Sequence, residues 1–84
     1  MTIPIAPYTI GSPGAPKVGS LFEVRYIQYT APTAIADCHL LDAAGVEILA
    51  IGLIQATAEQ CAAWTDDDAF AAVLAVNAGF ELAV

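Results

Sequence analysis

Two helix-start signals in the last third of the chain place the strongest constraint on its fold. Thr57 and Gln60 have the spacing of a capping box, in which the threonine hydroxyl accepts from the Gln60 amide and the glutamine side chain reaches back. Thr65 and the three aspartates at 66–68 repeat this pattern, and the carboxylates favour the positive end of a helix dipole. The sequence therefore predicts one helix beginning after Thr57 and a second helix over residues 69–78.

A stop signal and an apolar stripe complete this helical segment. Gly79 can adopt the left-handed conformation that ends a helix, and Phe80 supplies the apolar contact that often accompanies it. The spacing i, i+3, i+4 and i+7 places four side chains on one face of the second helix: Phe70, Val73, Leu74 and Asn77. With Trp64, which lies between the two helices, this stripe is expected to cover one face of a sheet.

Three stretches upstream predict β-strands, over residues 20–30, 34–41 and 46–55. The first strand is expected to place three side chains on one face: Phe22, Val24 and Tyr26. The third strand is apolar on both faces over residues 48–54, which is typical of a strand in the middle of a sheet.

The expected fold class is α+β. A small antiparallel β meander of three strands is expected to pack against the C-terminal helical segment, and residues 81–84 are a candidate fourth strand. Residues 20–84 would form this single small domain. Two sheet edges would be open, and an unprotected apolar edge tends to pair with another chain, so either the arm covers one edge or a neighbouring subunit does.

Residues 1–19 are expected to form an extended arm outside the domain. Four prolines alternate with glycines here, which excludes a helix or a central strand. The segment is nevertheless apolar with one charge, Lys17, unlike a disordered tail, which is the alternative. The predicted partner-binding residues lie outside any expected core element and are Ile3, Ile5, Tyr8 and Ile10. If the isolated monomer instead holds its first nineteen residues packed on its own domain, the case for a role in building a shell or tail collapses.

Charge and composition exclude several classes of function. Of 84 residues, 58% are hydrophobic, and nine acidic residues against Lys17 and Arg25 give a net charge of −7. Binding to a nucleic-acid backbone is not expected, because that requires cationic side chains. The longest apolar run, residues 48–54, is too short to span a membrane, and no signal peptide is visible, so the chain is expected in a cytoplasm. Cys38 and Cys61 are expected to be buried free thiols.

The sequence contains no catalytic, cofactor or metal signature. Asp37, Cys38 and His39 resemble a nucleophile with its base, but consecutive side chains on a strand point to opposite faces. Asp37 and His39 share a face, so a carboxylate could orient the imidazole for proton transfer. Residues 66–68 could suggest a cation site, yet helix capping explains them better, because the alternating ligands of a calcium loop are absent.

A family resemblance involves the helical segment. Residues 57–70, T-A-E-Q-C-A-A-W-T-D-D-D-A-F, and the closing A-G-F at 78–80 resemble the C-terminal half of small proteins encoded among tailed-bacteriophage structural genes. In those proteins a short β meander precedes an E-Q-x-A-A-W-x-x-D-D helical segment. The resemblance implies a virion component, made in the host cytoplasm, and transfers no catalytic residue.

These observations favour a non-enzymatic virion protein without a cofactor. The first hypothesis is a homo-oligomeric capsid decoration or cement protein that binds coat subunits through the arm and the sheet edges. A tail or head-to-tail connector component is the nearest variant. The alternatives are a small acidic regulator that binds a host protein and an enzyme that relies on Asp37 and His39.

Overall fold

The computed structural model describes residues 1–83 and shows an antiparallel sheet with two helices on one face. The sheet has four strands in the order β1-β2-β3-β4. In chain order the elements are β1 Thr2–Ser12, β2 Ala15–Thr30, β3 Thr33–Leu41, β4 Glu47–Ala56, α1 Ala58–Ala62 and α2 Asp67–Asn77. The predicted α+β class is confirmed, and the meander has one strand more than the three predicted.

The additional strand is formed by the segment predicted to be an arm outside the domain. That prediction is wrong, and the alternative in which the arm covers one edge of the sheet is confirmed. β1 pairs with β2 from Thr2 opposite Glu23 to Ser12 opposite Ala15, and Ile3 and Ile5 are buried in the core. β1 lies at the edge of the sheet, where a strand needs hydrogen-bond donors on one side only and proline is therefore tolerated. β2 also runs without a break through residue 19, so no boundary separates an arm from a domain there.

The candidate fourth strand at the carboxyl end is reduced to a short contact with β1. The Ala6 amide donates to the Glu81 carbonyl over 2.9 Å, and Leu82 forms an isolated bridge with Ile5. Val84 lies outside the described residues. The C-terminal segment therefore covers part of the open side of β1.

The turns on both sides of β3 follow the predicted positions. A two-residue turn that contains a cis Ala31–Pro32 bond joins β2 to β3. Asp42 organises the turn before β4, because its carboxylate accepts from the amides of Ala44 and Val46, each over 2.9 Å.

A β-bulge in β2 changes which side chains face the helices. Phe22 and Val24 pair with the inward-facing residues of β3, as predicted, but the register shifts at Arg25. Tyr26 therefore lies opposite Asp37 on the outer face and is 64% exposed, which corrects its predicted position beside Phe22. A bulge adds one residue to a strand and so reverses the alternation beyond it.

Both helix starts form by the predicted chemistry. The Gln60 amide donates to Thr57 Oγ1 over 3.2 Å, and the Thr57 amide donates to Gln60 Oε1 over 2.9 Å, which completes the capping box of α1. The cap of α2 is Asp66 rather than Thr65, because the Asp66 carboxylate accepts from the Ala69 amide over 3.3 Å. For this reason α2 begins at Asp67, two residues before the predicted start.

The predicted stop after α2 is confirmed. Gly79 has a φ of +93°, and the Phe80 amide donates to the Ala75 carbonyl over 3.0 Å, as in a Schellman motif. The Phe80 ring is buried and contacts Phe22 and Tyr8, with ring centroids 5.8 and 4.8 Å away. The end of α2 is thereby attached to both N-terminal strands.

The buried face of α2 is rotated from the predicted stripe. Its buried side chains are Phe70, Ala71, Leu74 and Ala75. Val73 is only half-buried, and Asn77 is exposed and makes polar contacts instead. The Asn77 side-chain amide donates to the Gln55 carbonyl over 3.1 Å and to Gln60 Oε1 over 2.8 Å, and it accepts from Gln60 Nε2 over 3.1 Å.

Loss of the Asn77 side chain should weaken the joint between α1, α2 and β4. We expect Asn77→Ala to lower the free energy of unfolding by about 1 kcal/mol, a value typical of a hydrogen-bonded side chain near the surface. Urea denaturation measures this change. Val76→Ala, an exposed neighbour on the same helix, is the matched control. Equal effects of the two substitutions would contradict the assigned role of Asn77.

Candidate functional site

The histidine-containing cluster lies on the outer face of the sheet, away from the helices. His39 Nε2 lies 2.9 Å from Asp37 Oδ2, which confirms that these two side chains share a face. Cys38 points to the opposite face, where it is fully buried and donates to the Ala36 carbonyl over 3.6 Å. Burial, and secondarily the charge of Asp37, raises the pKa of the Cys38 thiol to about 11. Cys38 is therefore a buried thiol and a poor nucleophile at neutral pH.

A carboxylate lies close to each ring nitrogen of His39. Glu47, at the start of β4, places Oε1 2.5 Å from His39 Nδ1, although the approach lacks the geometry of a hydrogen bond. The same oxygen lies 2.9 Å from Arg25 Nη2, and Arg25 also contacts Glu23, the main reason why its pKa is raised. These contacts between charged and polar side chains link β2, β3 and β4 on the outer face of the sheet.

We call Glu23, Arg25, Asp37, His39 and Glu47 the ion network, in which Arg25 pairs with two carboxylates and His39 lies between Asp37 and Glu47. Neither nitrogen of His39 is directed at a nucleophile, since each faces a carboxylate. Within residues 1–83 no group of three His, Cys, Asp or Glu side chains is placed to hold a metal ion. The three aspartates at 66–68 act at the start of α2, where Asp66 caps the helix and Asp67 accepts from Trp64 Nε1 over 3.2 Å.

The structure does not bring the four predicted partner-binding residues together on one surface. Ile3 and Ile5 are core residues, so the prediction that they contact a partner is wrong for the folded chain. Ile3 and Ile5 are two residues apart on an edge strand, so both side chains lie on the face of the sheet that the helices cover. Tyr8 is 45% exposed and packs edge-on against Phe80, while Ile10 is half-buried on the β1–β2 hairpin. The N-terminal segment is held on the chain's own domain, so the case for an assembly role that was based on a free arm collapses, and such a role has to rest on another surface. Of the two cysteines, Cys61 is only half-buried, and both are free.

The largest unpartnered apolar element is β4, which was predicted to be central and is instead the edge strand. Within the described sheet it is hydrogen-bonded only to β3. Its ten residues contain a single charge, Glu47, and that charge is engaged in the ion network. Leu49 and Leu53 are 41% and 71% exposed. The sequence did not decide between these positions, because a run of apolar residues is compatible with a central strand and with a binding edge.

The exposed side chains of β4 continue onto the outer face of the sheet. Tyr26, Asp37 and Leu53 lie in one row across β2, β3 and β4. Ile35, two residues before Asp37, is also exposed on this face. Leu49 lies opposite the buried Leu40 and therefore on the helix-covered face. We call Tyr26, Ile35, Leu53 and the open backbone of β4 the edge surface.

A second protruding element is the hairpin tip, defined as residues 9–18. β3 pairs with β2 only from Leu21 onward, so the tip is a two-stranded ribbon without a third strand. Residues 11–18 are exposed. Such a ribbon is marginally stable in water unless something packs against it.

The comparisons with known proteins add no relative. No protein-family model, curated protein or solved structure matches the chain. Among the described residues, neither helix has the length and apolar character that crossing a membrane requires.

Proposed function

We propose that this chain is a non-enzymatic structural protein of a tailed-bacteriophage particle, specifically a capsid decoration protein that binds coat subunits and further copies of itself. The observation that carries the assembly role is β4, an apolar strand with one open edge. The assignment to a phage particle rests on the resemblance of residues 57–70 to phage structural proteins.

An open edge of this kind favours pairing with another chain. It presents a row of unpaired amides and carbonyls, and monomeric proteins usually block such edges with lysine, proline or charge. β4 contains no lysine or proline, although two register shifts interrupt its pairing with β3 and the Asn77 side chain donates to the Gln55 carbonyl near its end. The opposite edge, β1, contains Pro4 and Pro7 and is partly covered by Glu81 and Leu82. The two edges therefore differ, and β4 is the one that can accept a strand from a partner.

The charge pattern supports a protein partner over a nucleic acid. Arg25 is already engaged by two carboxylates, which leaves Lys17 as the remaining lysine or arginine in a chain of net charge −7. Displacing counterions from phosphate requires several cationic side chains.

Two alternatives use other surfaces or other partners. A tail or head-to-tail connector component would use the same edge in fewer copies per particle. A small acidic regulator of a host protein would instead bind through the exposed carboxylates of α1 and α2, Glu59 and residues 66–68. Deletion of residues 1–19 does not distinguish them, because it removes β1 and part of β2 from the fold.

Mass spectrometry of particles purified from the virus that encodes the chain tests the proposal. A copy number comparable to that of the coat subunits is expected for a decoration protein. A copy number close to that of tail proteins would identify the connector variant, and absence from purified particles would contradict the proposal.

A substitution on β4 tests whether this edge carries the binding. We expect Leu53→Lys to reduce incorporation into particles about tenfold or more, because a lysine at the edge opposes strand pairing. Leu53 is largely exposed, so the fold should be retained. Val46→Lys is the matched control, since Val46 is exposed in the turn just before β4. Equal incorporation of both variants would exclude β4 as the binding edge.

A further inference from the structure

The open strand β4 has a bulge at its centre. Gly52 lies opposite Cys38 and Ala50 lies opposite His39, so Ile51 between them has no partner in β3. Ile51 packs against the buried core, and it therefore lies on the helix-covered face together with Gly52. Because a bulge places two consecutive residues on one face, the order of faces along β4 differs from that of a regular strand.

The order of faces over residues 49–54 is the same in both directions along the strand. Leu49 and Ile54 lie opposite buried residues of β3 and face the helices, whereas Ala50 and Leu53 lie opposite two members of the ion network and face outward. The six residues therefore face the helices, outward, the helices, the helices, outward and the helices. When two copies of this stretch run antiparallel, with Leu49 opposite Ile54 and Ala50 opposite Leu53, every residue shares a face with the one opposite it.

This register also covers the exposed leucines of β4. On the outer face, Leu53 is 71% exposed and would lie beside Ala50 of the second copy. On the helix side, Leu49 is 41% exposed and would lie beside the half-buried Ile54. Directly opposite side chains of an antiparallel pair contact each other, so pairing would remove apolar surface from water on both faces of the sheet.

The distribution of charge favours this edge for a contact between copies. A net charge of −7 opposes self-association wherever carboxylates face each other. Glu47 is the one charged residue of β4, and it already pairs with Arg25 and lies beside His39. Residues 49–54 carry no charge. Two copies can therefore pair along this stretch without placing like charges opposite each other.

A second copy matches β4 better than a regular strand of another protein does. A regular strand stays in phase with β4 only by leaving one residue of the bulge unpaired, as β3 leaves Ile51. A second copy has the same bulge at the same place, so Ile51 of each copy lies opposite Gly52 of the other. The bulge therefore identifies a further copy of this chain as the partner of the edge.

We propose that two copies of the chain pair through β4, antiparallel and about a twofold axis that passes between Ile51 and Gly52. Their two four-stranded sheets then join into one continuous sheet with the helices of both copies on the same face. The same surface is used by both copies, so the contact closes on itself and produces a dimer rather than a filament. This inference rests on the proposed function and deepens its self-association part, because it names the partner of β4.

Sedimentation velocity of the purified chain over a range of concentrations measures the dimer. At about 150 mM salt, repulsion between the acidic chains is screened beyond roughly 8 Å. The wild-type chain should form dimers, and Leu53→Lys should raise their dissociation constant about tenfold or more, because a lysine opposes pairing at a sheet edge. Val46→Lys, exposed and outside the paired stretch, is the matched control and should dimerise like the wild type. Thermal melting of each variant checks that the fold is intact.

Cysteine pairs test the register. The variants are made in a Cys61→Ser background, and Cys38 is retained because it is fully buried. In an oxidising buffer, a mixture of Ala50→Cys with Leu53→Cys should form a covalent dimer, since directly opposite Cα atoms lie about 4.5–5.5 Å apart, within the reach of a disulfide. Either variant alone should stay uncrosslinked, because its two cysteines are offset by roughly 10 Å along the strands. Val46→Cys mixed with Leu53→Cys is the matched control and should not crosslink.

The results separate this inference from the proposed function. A wild-type chain that stays monomeric, a dimer unaffected by Leu53→Lys, or single cysteine variants that crosslink as well as their mixture would overturn the twofold pairing of β4. A monomeric chain whose incorporation into particles is still lost in Leu53→Lys would overturn the dimer and leave the proposed function intact. Conversely, a dimer in solution that is absent from purified particles would contradict the proposed function alone.

Discussion

Replacing Ile5 with alanine should lower the free energy of unfolding by about 2–5 kcal/mol, the range for truncating a buried aliphatic side chain. Ile5 is 3% exposed and belongs to the same core cluster as Phe22, Leu74 and Phe80. A small domain is stable by only about 5–15 kcal/mol, so this loss is a large fraction of its free energy of unfolding. The effect is large because residues 2–12 form strand β1, and this strand holds the Ile5 side chain in the core.

Ile35→Ala is the matched control for this prediction. It removes the same atoms from an isoleucine on the outer face of β3, where the side chain is 40% exposed. The expected loss is below about 1 kcal/mol, as for most surface substitutions. Urea denaturation of both variants gives the comparison. If Ile5→Ala cost no more than Ile35→Ala, the N-terminal segment would not be part of the core.

Adding a methyl group at Gly19 should destabilise the chain by about 1–3 kcal/mol, the usual cost of overpacking a core. A Cβ at this position would lie 2.4 to 2.6 Å from three side-chain atoms of Leu40. Leu40 is fully buried, so it cannot move aside without displacing its neighbours. Gly19→Ala therefore tests how closely β1 and β2 pack on the core at the base of the hairpin tip.

A double-mutant cycle identifies Leu40 as the cause. Leu40→Ala alone should cost about 2–5 kcal/mol, because it leaves a cavity. In that background the added methyl group has room, and Gly19→Ala should cost close to nothing. The free energies of unfolding of the four proteins provide the coupling energy. The same penalty in both backgrounds would show that Leu40 is not the obstacle.

The helix ends could be predicted from the sequence because their causes are local. Thr57 and Gln60 satisfy each other's amides within four residues, and Gly79 with Phe80 ends α2 within a similar distance. Such signals do not depend on what the rest of the chain does. The turn at Asp42 was predictable for the same reason.

The positions of the strands within the sheet could not be predicted, because they depend on strand order. Pro4 and Pro7 exclude a central strand but are compatible with an edge, and the sequence does not say which applies to β1. The bulge at Arg25 likewise reverses the facing of Tyr26 without a signal in the alternation itself. The apolar run of β4 was read as central burial, whereas β4 lies at the edge.

In the candidate site, too, only the features set by local spacing could be predicted. Asp37 and His39 could be placed on one face from their spacing, but the approach of Glu47 from β4 could not. That approach places a second carboxylate beside the imidazole of His39.

Hydrogen exchange of the backbone amides, compared between the free and the assembled chain, tests whether β1 belongs to the folded sheet and whether β4 is the edge that binds a partner. In the free chain, amides of residues 2–6 that are paired with β2 should exchange as slowly as those of β3. The unpaired amides of β4 should exchange quickly and become protected only on assembly. Fast exchange of these β1 amides in the free chain would show that β1 is not part of the folded sheet. No added protection of β4 on assembly would show that β4 is not the binding edge.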